Sequence, residues 1–133
     1  MTAERAVLDA NAAFYRAFAE RDVDAMDALW AHSVPVACIH PGWHALSGRD
    51  AVMASWRGIL MAVPPAIRCS DAVAHVTGTA AFVICTESLD AGELVATNVF
   101  VQEDGDWKIA HHHAGPVASA DDDDDKPPSG FLN

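Results

Sequence analysis

Three consecutive histidines, His111-His112-His113, follow the extended stretch Trp107-Lys108-Ile109-Ala110, and two more, His40 and His44, flank Pro41-Gly42-Trp43. An imidazole titrates near neutral pH, so such groups can move protons without special tuning. Successive side chains of a strand point to opposite faces, which puts His111 and His113 together and His112 on the other side. An H-x-H pair of this kind suits acid/base work or hydrogen bonding to a ligand. With a third group such as His40, His44 or Glu87 it would suit a divalent metal. It equally suits core histidines satisfied by Asn98 or by backbone. No third ligand stands at a diagnostic spacing, so neither a metal nor another cofactor is expected. Nucleophile constellations, glycine-rich phosphate loops and basic patches are missing from the sequence.

The element that must position the histidines is a closing hairpin from Leu94 to Val117 with the turn Glu103-Asp104-Gly105-Asp106. If Asp104-Gly105 is its two-residue loop, Phe100 pairs with Ile109, Asn98 with His111 and Ala96 with His113. Phe100, Trp107, Ile109, Asn98, His111 and His113 then share one face; Val95, Val99, Val101, Lys108 and His112 share the other. Taking Ala91-Gly92 as the preceding turn pairs Cys85 with Asn98 and adds Val83, Cys85 and Glu87 to the first face. Polar groups among aromatics on a concave face are what a small-molecule pocket needs. A Glu87 carboxyl held there would have a raised pKa and fit proton transfer; the alternative is a solvated side chain. The second face, rich in β-branched residues, reads as a subunit contact, with His112 on it. A slip of one residue would exchange the faces.

Ahead of the sheet the pattern is helical. Thr2 can cap a first helix to about Glu20, with Val7, Asn11, Phe14 and Phe18 on one stripe and Tyr15 beside it, read as structural before catalytic. Asp22 can cap a short second helix, Val23 to Ala31, carrying Met26, Leu29 and Trp30. Val34 to Ile39, interrupted by Pro35, reads as a brief edge strand. The polar-aromatic loop His40-Pro41-Gly42-Trp43-His44 would either contact a ligand or close the end of the core. Ser47-Gly48-Arg49-Asp50 reads as a capping box for a third helix with Val52, Trp56, Ile59, Leu60 and Val63 on its stripe, ended by Pro64-Pro65. Trp56 and Trp30 belong to the core first and to a cavity wall second. From Ala66 the period changes to two, with breaks at Thr77-Gly78, Ala91-Gly92 and Asp104-Gly105, so four antiparallel strands in meander order follow. Helices first and sheet after argue an α+β fold: a curved antiparallel sheet with three N-terminal helices packed over its concave face.

The 133 residues, 51% of them hydrophobic, are enough for one domain with a real core, expected over 1–118. The net charge of −11 falls to −7 once the segment Asp121 to Lys126 is set aside. Such an acidic body repels phosphate backbones and makes nucleic acid a poor partner. Residues 119–133, acidic and Pro-containing, are expected to form a mobile tail. No run approaches a membrane span or a signal peptide. Cys38, Cys69 and Cys85, an odd number inside apolar segments, fit reduced thiols in a cytoplasm.

The order helix, helix, strand, helix, four-strand meander, with Phe14 to Met26, His40-Pro41-Gly42-Trp43, Ser47-Gly48-Arg49-Asp50 and Trp107 to His113, resembles the SnoaL-like branch of the nuclear transport factor 2-like superfamily. It is similar too to the association domain of calcium/calmodulin-dependent kinase. The resemblance covers residues 3 to about 118 and implies a cone whose mouth lies between helices and curved sheet, in a homodimer packed through the sheets. Ketosteroid isomerases of the superfamily carry a tyrosine on the first helix and an aspartate before a proline after the first strand. Phe14, with Tyr15 one residue on, and His40 stand at those places here. A ligand site at that mouth would have His40, Glu87, His111 and His113 as acid/base candidates and Tyr15, Trp43, His44, Trp56, Asn98 and Trp107 around the substrate. Its function would be proton transfer of the isomerase or dehydratase kind on a small, partly apolar molecule. The alternative is a non-catalytic ligand-binding or association domain.

Overall fold

The computed structural model describes residues 2–118; the expected acidic tail lies outside the described residues. Helix α1 spans Ala3–Ala19 and α2 Val23–Leu29, each opened as its sequence predicts. Thr2 Oγ1 accepts from the Arg5 amide at 3.1 Å, and Asp22 Oδ1 accepts from the Ala25 amide at 3.0 Å. Strand β1 is Ala37–Ile39 and β2 is Leu46–Ser47, followed by α3, Arg49–Met61. The long strands are β3 Arg68–Thr77, β4 Ala80–Leu89, β5 Gly92–Glu103 and β6 Asp106–Pro116.

These strands form one curved sheet in the order β2-β1-β6-β5-β4-β3, with the helices against its inner face. The α+β cone is as expected, and β3 to β6 make the antiparallel meander. The sheet as a whole is mixed, because β1 runs parallel to β6. Strand β1 is also not an edge: the two-residue β2 covers it.

The capping box at Ser47 does not form. Ser47 is drawn into β2 opposite Ala37, and Gly48 becomes the N-cap of α3 at φ 90°, a left-handed conformation that favours glycine. Its amide donates to Val36 O at 2.9 Å. Val63, expected on the α3 stripe, lies beyond the helix end and is exposed. The start of α3 is held by Arg49, which reaches the end of α2. Its Nη1 donates to Trp30 O at 2.9 Å, and Nη2 to Asp27 O at 2.7 Å and Asp27 Oδ1 at 2.6 Å. Arg49→Met is expected to lower unfolding free energy by about 1–3 kcal/mol, because those carbonyls lose a charged donor. Urea denaturation checks it, and an unchanged midpoint would show the contacts to be replaceable by water.

The hairpin turn at Asp104-Gly105 has the expected two residues: Glu103 pairs with Asp106, Gln102 with Trp107 and Phe100 with Ile109. The register then shifts. Val99 pairs with His111 and Asn98 with His112, leaving Ala110 as the extra residue of a β-bulge. Every side chain after Ala110 is thereby on the face opposite to the one predicted. In the β4–β5 hairpin Leu89 pairs with Gly92 and Cys85 with Ala96, two places from the predicted pairing. A slip of two preserves the faces, so Val83, Cys85 and Glu87 still point inward.

Candidate functional site

A cavity of about 310 Å³ lies between α1, α3 and the inner face of the sheet. Its walls are largely apolar: Phe14 and Phe18 from α1, Trp56 and Ile59 from α3, Pro64, Pro65 and Ile67 beyond it, and Leu89 and Leu94 beside the β4–β5 turn. Pro41 and Trp43 of the loop after β1 complete the rim, with Trp43 49% exposed. Polar lining comes from Tyr15, His40, Glu87 and His112, all of them buried.

His112 belongs here because of the bulge. It is 3% exposed, packs at 5.0 Å ring separation from Phe14, and stands 6.4 Å from the ring of His40. The expectation that it faces outward to a subunit contact is overturned. The same shift removes His111 and His113 from the cavity. They lie on the outer face, half-buried and exposed respectively, with rings 6.3 Å apart. A metal site joining them to His40 or Glu87 is ruled out by position, since those two side chains are on the inner side. Of the other predicted groups, Tyr15, Trp43 and Trp56 line the cavity and His44 is exposed. Trp107 is buried in the core without reaching the cavity. Asn98 is fully buried behind the wall, opposite His112 rather than His111.

From the wall a hydrogen-bonded chain runs inward. Tyr15 donates its phenolic proton to Glu87 Oε2 at 2.6 Å, so toward Asn98 its oxygen can only accept. Asn98 Nδ2 supplies that bond at 3.2 Å and a second to Asn11 Oδ1 at 2.8 Å. The Asn98 carbonyl is thus turned to His112 Nδ1, 2.6 Å away, which must carry the proton. His112 presents an unprotonated Nε2. Asn11, on the α1 stripe between Val7 and Phe14, closes the chain.

Burial sets the charges. It holds the His112 imidazole down to about 3 and His40 down to about 4, with the neighbouring imidazoles adding to the effect on His112. Burial raises the Glu87 carboxyl above the ordinary carboxylate range, against the opposing hydrogen bond from Tyr15. The Tyr15 hydroxyl is raised by burial and by Glu87 beside it. At neutral pH the cavity offers neutral imidazoles beside a carboxyl whose proton affinity burial has raised, a pairing of candidate base and acid.

His112 was missed because alternation is read from contrast between neighbours, and a run of one residue type carries none. The faint signal was Ala114 against Gly115: the better apolar side chain marks even positions as inward. Ser55, bonded to His40, had no sequence signal at all.

Three helices on the inner face of a curved sheet, with a lined cavity between them, define an NTF2-like α+β cone. Residues 7–119 match the SnoaL-like domain, and the chain belongs to that family. A candidate dehydratase of the NTF2-like family from Streptomyces avermitilis is 36% identical and superposes with a TM-score of 0.79 over 86% of this chain and 96% of that one. A candidate calcium/calmodulin-dependent protein kinase type II association domain from Thiobacillus denitrificans is 35% identical, with a TM-score of 0.71 over 82% and 93%. F-box protein SKIP8 of Arabidopsis thaliana is 31% identical over 118 residues, 83% of this chain and 49% of that protein. The chain thus spans about half the length of that curated relative.

Proposed function

We propose that this domain binds a small, partly apolar molecule in the cavity and transfers protons on it, in a reaction of the isomerase or dehydratase kind. The observation that carries the reading is the convergence of His40, His112 and the Tyr15–Glu87 pair on one apolar space. Glu87 acts as the acid; His112 Nε2 and His40 are the candidate bases. His111 and His113 are no longer candidates, being on the outer face. Likeness to a candidate dehydratase supports the same reading. On a panel of small hydroxyketones and enones, Glu87→Gln and His112→Gln are each expected to lower kcat by about 10²–10⁴, with KM little changed. Folded wild-type protein that turns over no member of such panels would sink the catalytic part of the proposal.

A second reading, an association domain, is favoured by the outer face of the sheet. Val73, Phe82, Ile84 and Val95 are exposed there, and the ring of His75 stacks on Phe82 at 4.6 Å. We take this face to pair two copies in a homodimer. Sedimentation should give twice the chain mass for wild type and the monomer mass for Ile84→Lys; a wild-type monomer at micromolar concentration would discard the pairing. Among the described residues no helix is long and apolar enough to cross a membrane. The free thiols of Cys38, Cys69 and Cys85 support a reducing compartment such as the cytoplasm.

A further inference from the structure

The hydrogen-bond directions in the cavity wall say what kind of ligand it takes. Ser55 Oγ lies 2.6 Å from Val52 O, the carbonyl three residues back on α3, so its only proton is committed there. His40 Nε2 is 2.9 Å from the same oxygen and must donate to it. His40 therefore keeps its lone pair on Nδ1, where the Cys38 thiol is a weak partner at 3.9 Å. His112 keeps its lone pair on Nε2, because Nδ1 is committed to Asn98. The two imidazoles of the wall thus both offer acceptors. Among the described residues, Trp56, which lines the same wall, has a buried indole N–H without a partner. Its ring stands 4.7 Å from His40 and 5.7 Å from His112. Among the described residues no lysine or arginine lines the cavity.

We infer that the cavity selects an uncharged, largely apolar molecule carrying a hydroxyl, and rejects carboxylate or phosphate analogues of the same size. A hydroxyl both donates and accepts, which is what two lone pairs and an orphaned N–H in one wall require. A carboxylate would enter an apolar space with no cation to meet it and would face two lone pairs, leaving its charge desolvated and unpaired. An ammonium could use the acceptors but would strand the indole N–H, and the carboxyl that might balance it already holds a hydrogen bond from Tyr15. The volume, about 310 Å³, is near the lower end for small-molecule pockets, ~300–1,000 Å³, and sets the size at about a single substituted ring. This inference rests on the cavity being a ligand site.

The test uses benzyl alcohol, benzoate and benzylammonium at millimolar concentration and pH 7.5, read by thermal shift and by ligand-observed NMR. Benzyl alcohol is expected to bind at least about tenfold tighter than either ion. Ser55→Ala frees His40 to turn either nitrogen inward and should cut that preference severalfold, while Ser55→Thr restores it. Benzoate or benzylammonium matching the alcohol would overturn the selectivity and leave the ligand site standing. An unchanged preference in folded Ser55→Ala would overturn the role given to His40. Folded protein that binds none of the probes would overturn the ligand site itself, and the selectivity with it.

Discussion

Asn98→Ala is expected to cost about 3–5 kcal/mol of unfolding free energy. Asn98 is fully buried and holds three neighbours: it accepts from His112 Nδ1 and donates to Asn11 Oδ1 and the Tyr15 oxygen. Truncation leaves the His112 N–H and the Asn11 carbonyl with no partner in an enclosed space. Each such group costs about 1–3 kcal/mol, and the void left by the side chain adds to it. Domains of this size have about 5–15 kcal/mol in all, so a loss of about 3–5 kcal/mol removes at least about a fifth of the stability and in a marginal domain nearly all of it. Urea titration measures the loss directly. A double-mutant cycle with His112→Ala should show at least about 1 kcal/mol of coupling, since the two side chains share one bond. A loss under about 1 kcal/mol would mean that water replaces the amide, and the polarised chain would have to be abandoned.

Acid is expected to unfold the domain well before its carboxylates alone would. His112 is held down to about 3 and His40 to about 4, both by burial, against about 6.5 when the chain is unfolded. Between those values the unfolded chain binds protons that the folded one refuses, so stability rises with pH there. The histidine contribution is fully present above about pH 6.5 and is lost progressively as pH falls toward 4 and 3. Each refused proton costs about 1.4 kcal/mol per pH unit. Glu87 opposes this: its raised carboxyl holds a proton that the unfolded chain has released, so its contribution is present at low pH and is lost as pH rises through its folded value. The other groups facing this pair are neutral in the same range, the Cys38 thiol at about 12 and the Tyr15 hydroxyl higher. The two imidazoles alone give a slope of up to about two protons, or roughly 2.7 kcal/mol per unit, between pH 6 and 5, and Glu87 subtracts from it. Below about pH 4 the slope flattens, as His40 and then His112 take up their protons in the folded state. Urea midpoints at pH 7, 6, 5 and 4 check this, and His112→Gln should remove about one proton from the slope. A midpoint independent of pH over that range would show both imidazoles to be hydrated.

Local order was legible where neighbours contrast. The caps Thr2 and Asp22, the stripe from Val7 through Phe18 and the loop of Asp104-Gly105 all depend on residues within a few positions of one another. So did the inward face of β4, where Val83, Cys85 and Glu87 alternate with exposed or half-buried neighbours and a two-place error in pairing did no harm. Tyr15 illustrates a limit: off the main stripe of α1, it reaches the site only because Glu87, 72 residues on, is brought to 2.6 Å.

The sequence alone determined an α+β cone, the starts of its first two helices, the Asp104-Gly105 turn and the family of the chain. Tertiary structure decided which histidine serves the cavity. Along its outer edge β6 first meets the Trp30–Ala31 segment, with the Ala31 amide on Ile109 O at 2.9 Å, and then β1, with Ala37 beside His111. The single residue between those two partners is Ala110, which bulges. The partners lie some seventy or more residues away in the chain, so no local pattern around the three histidines could reveal the shift that turned His112 inward and His111 and His113 out.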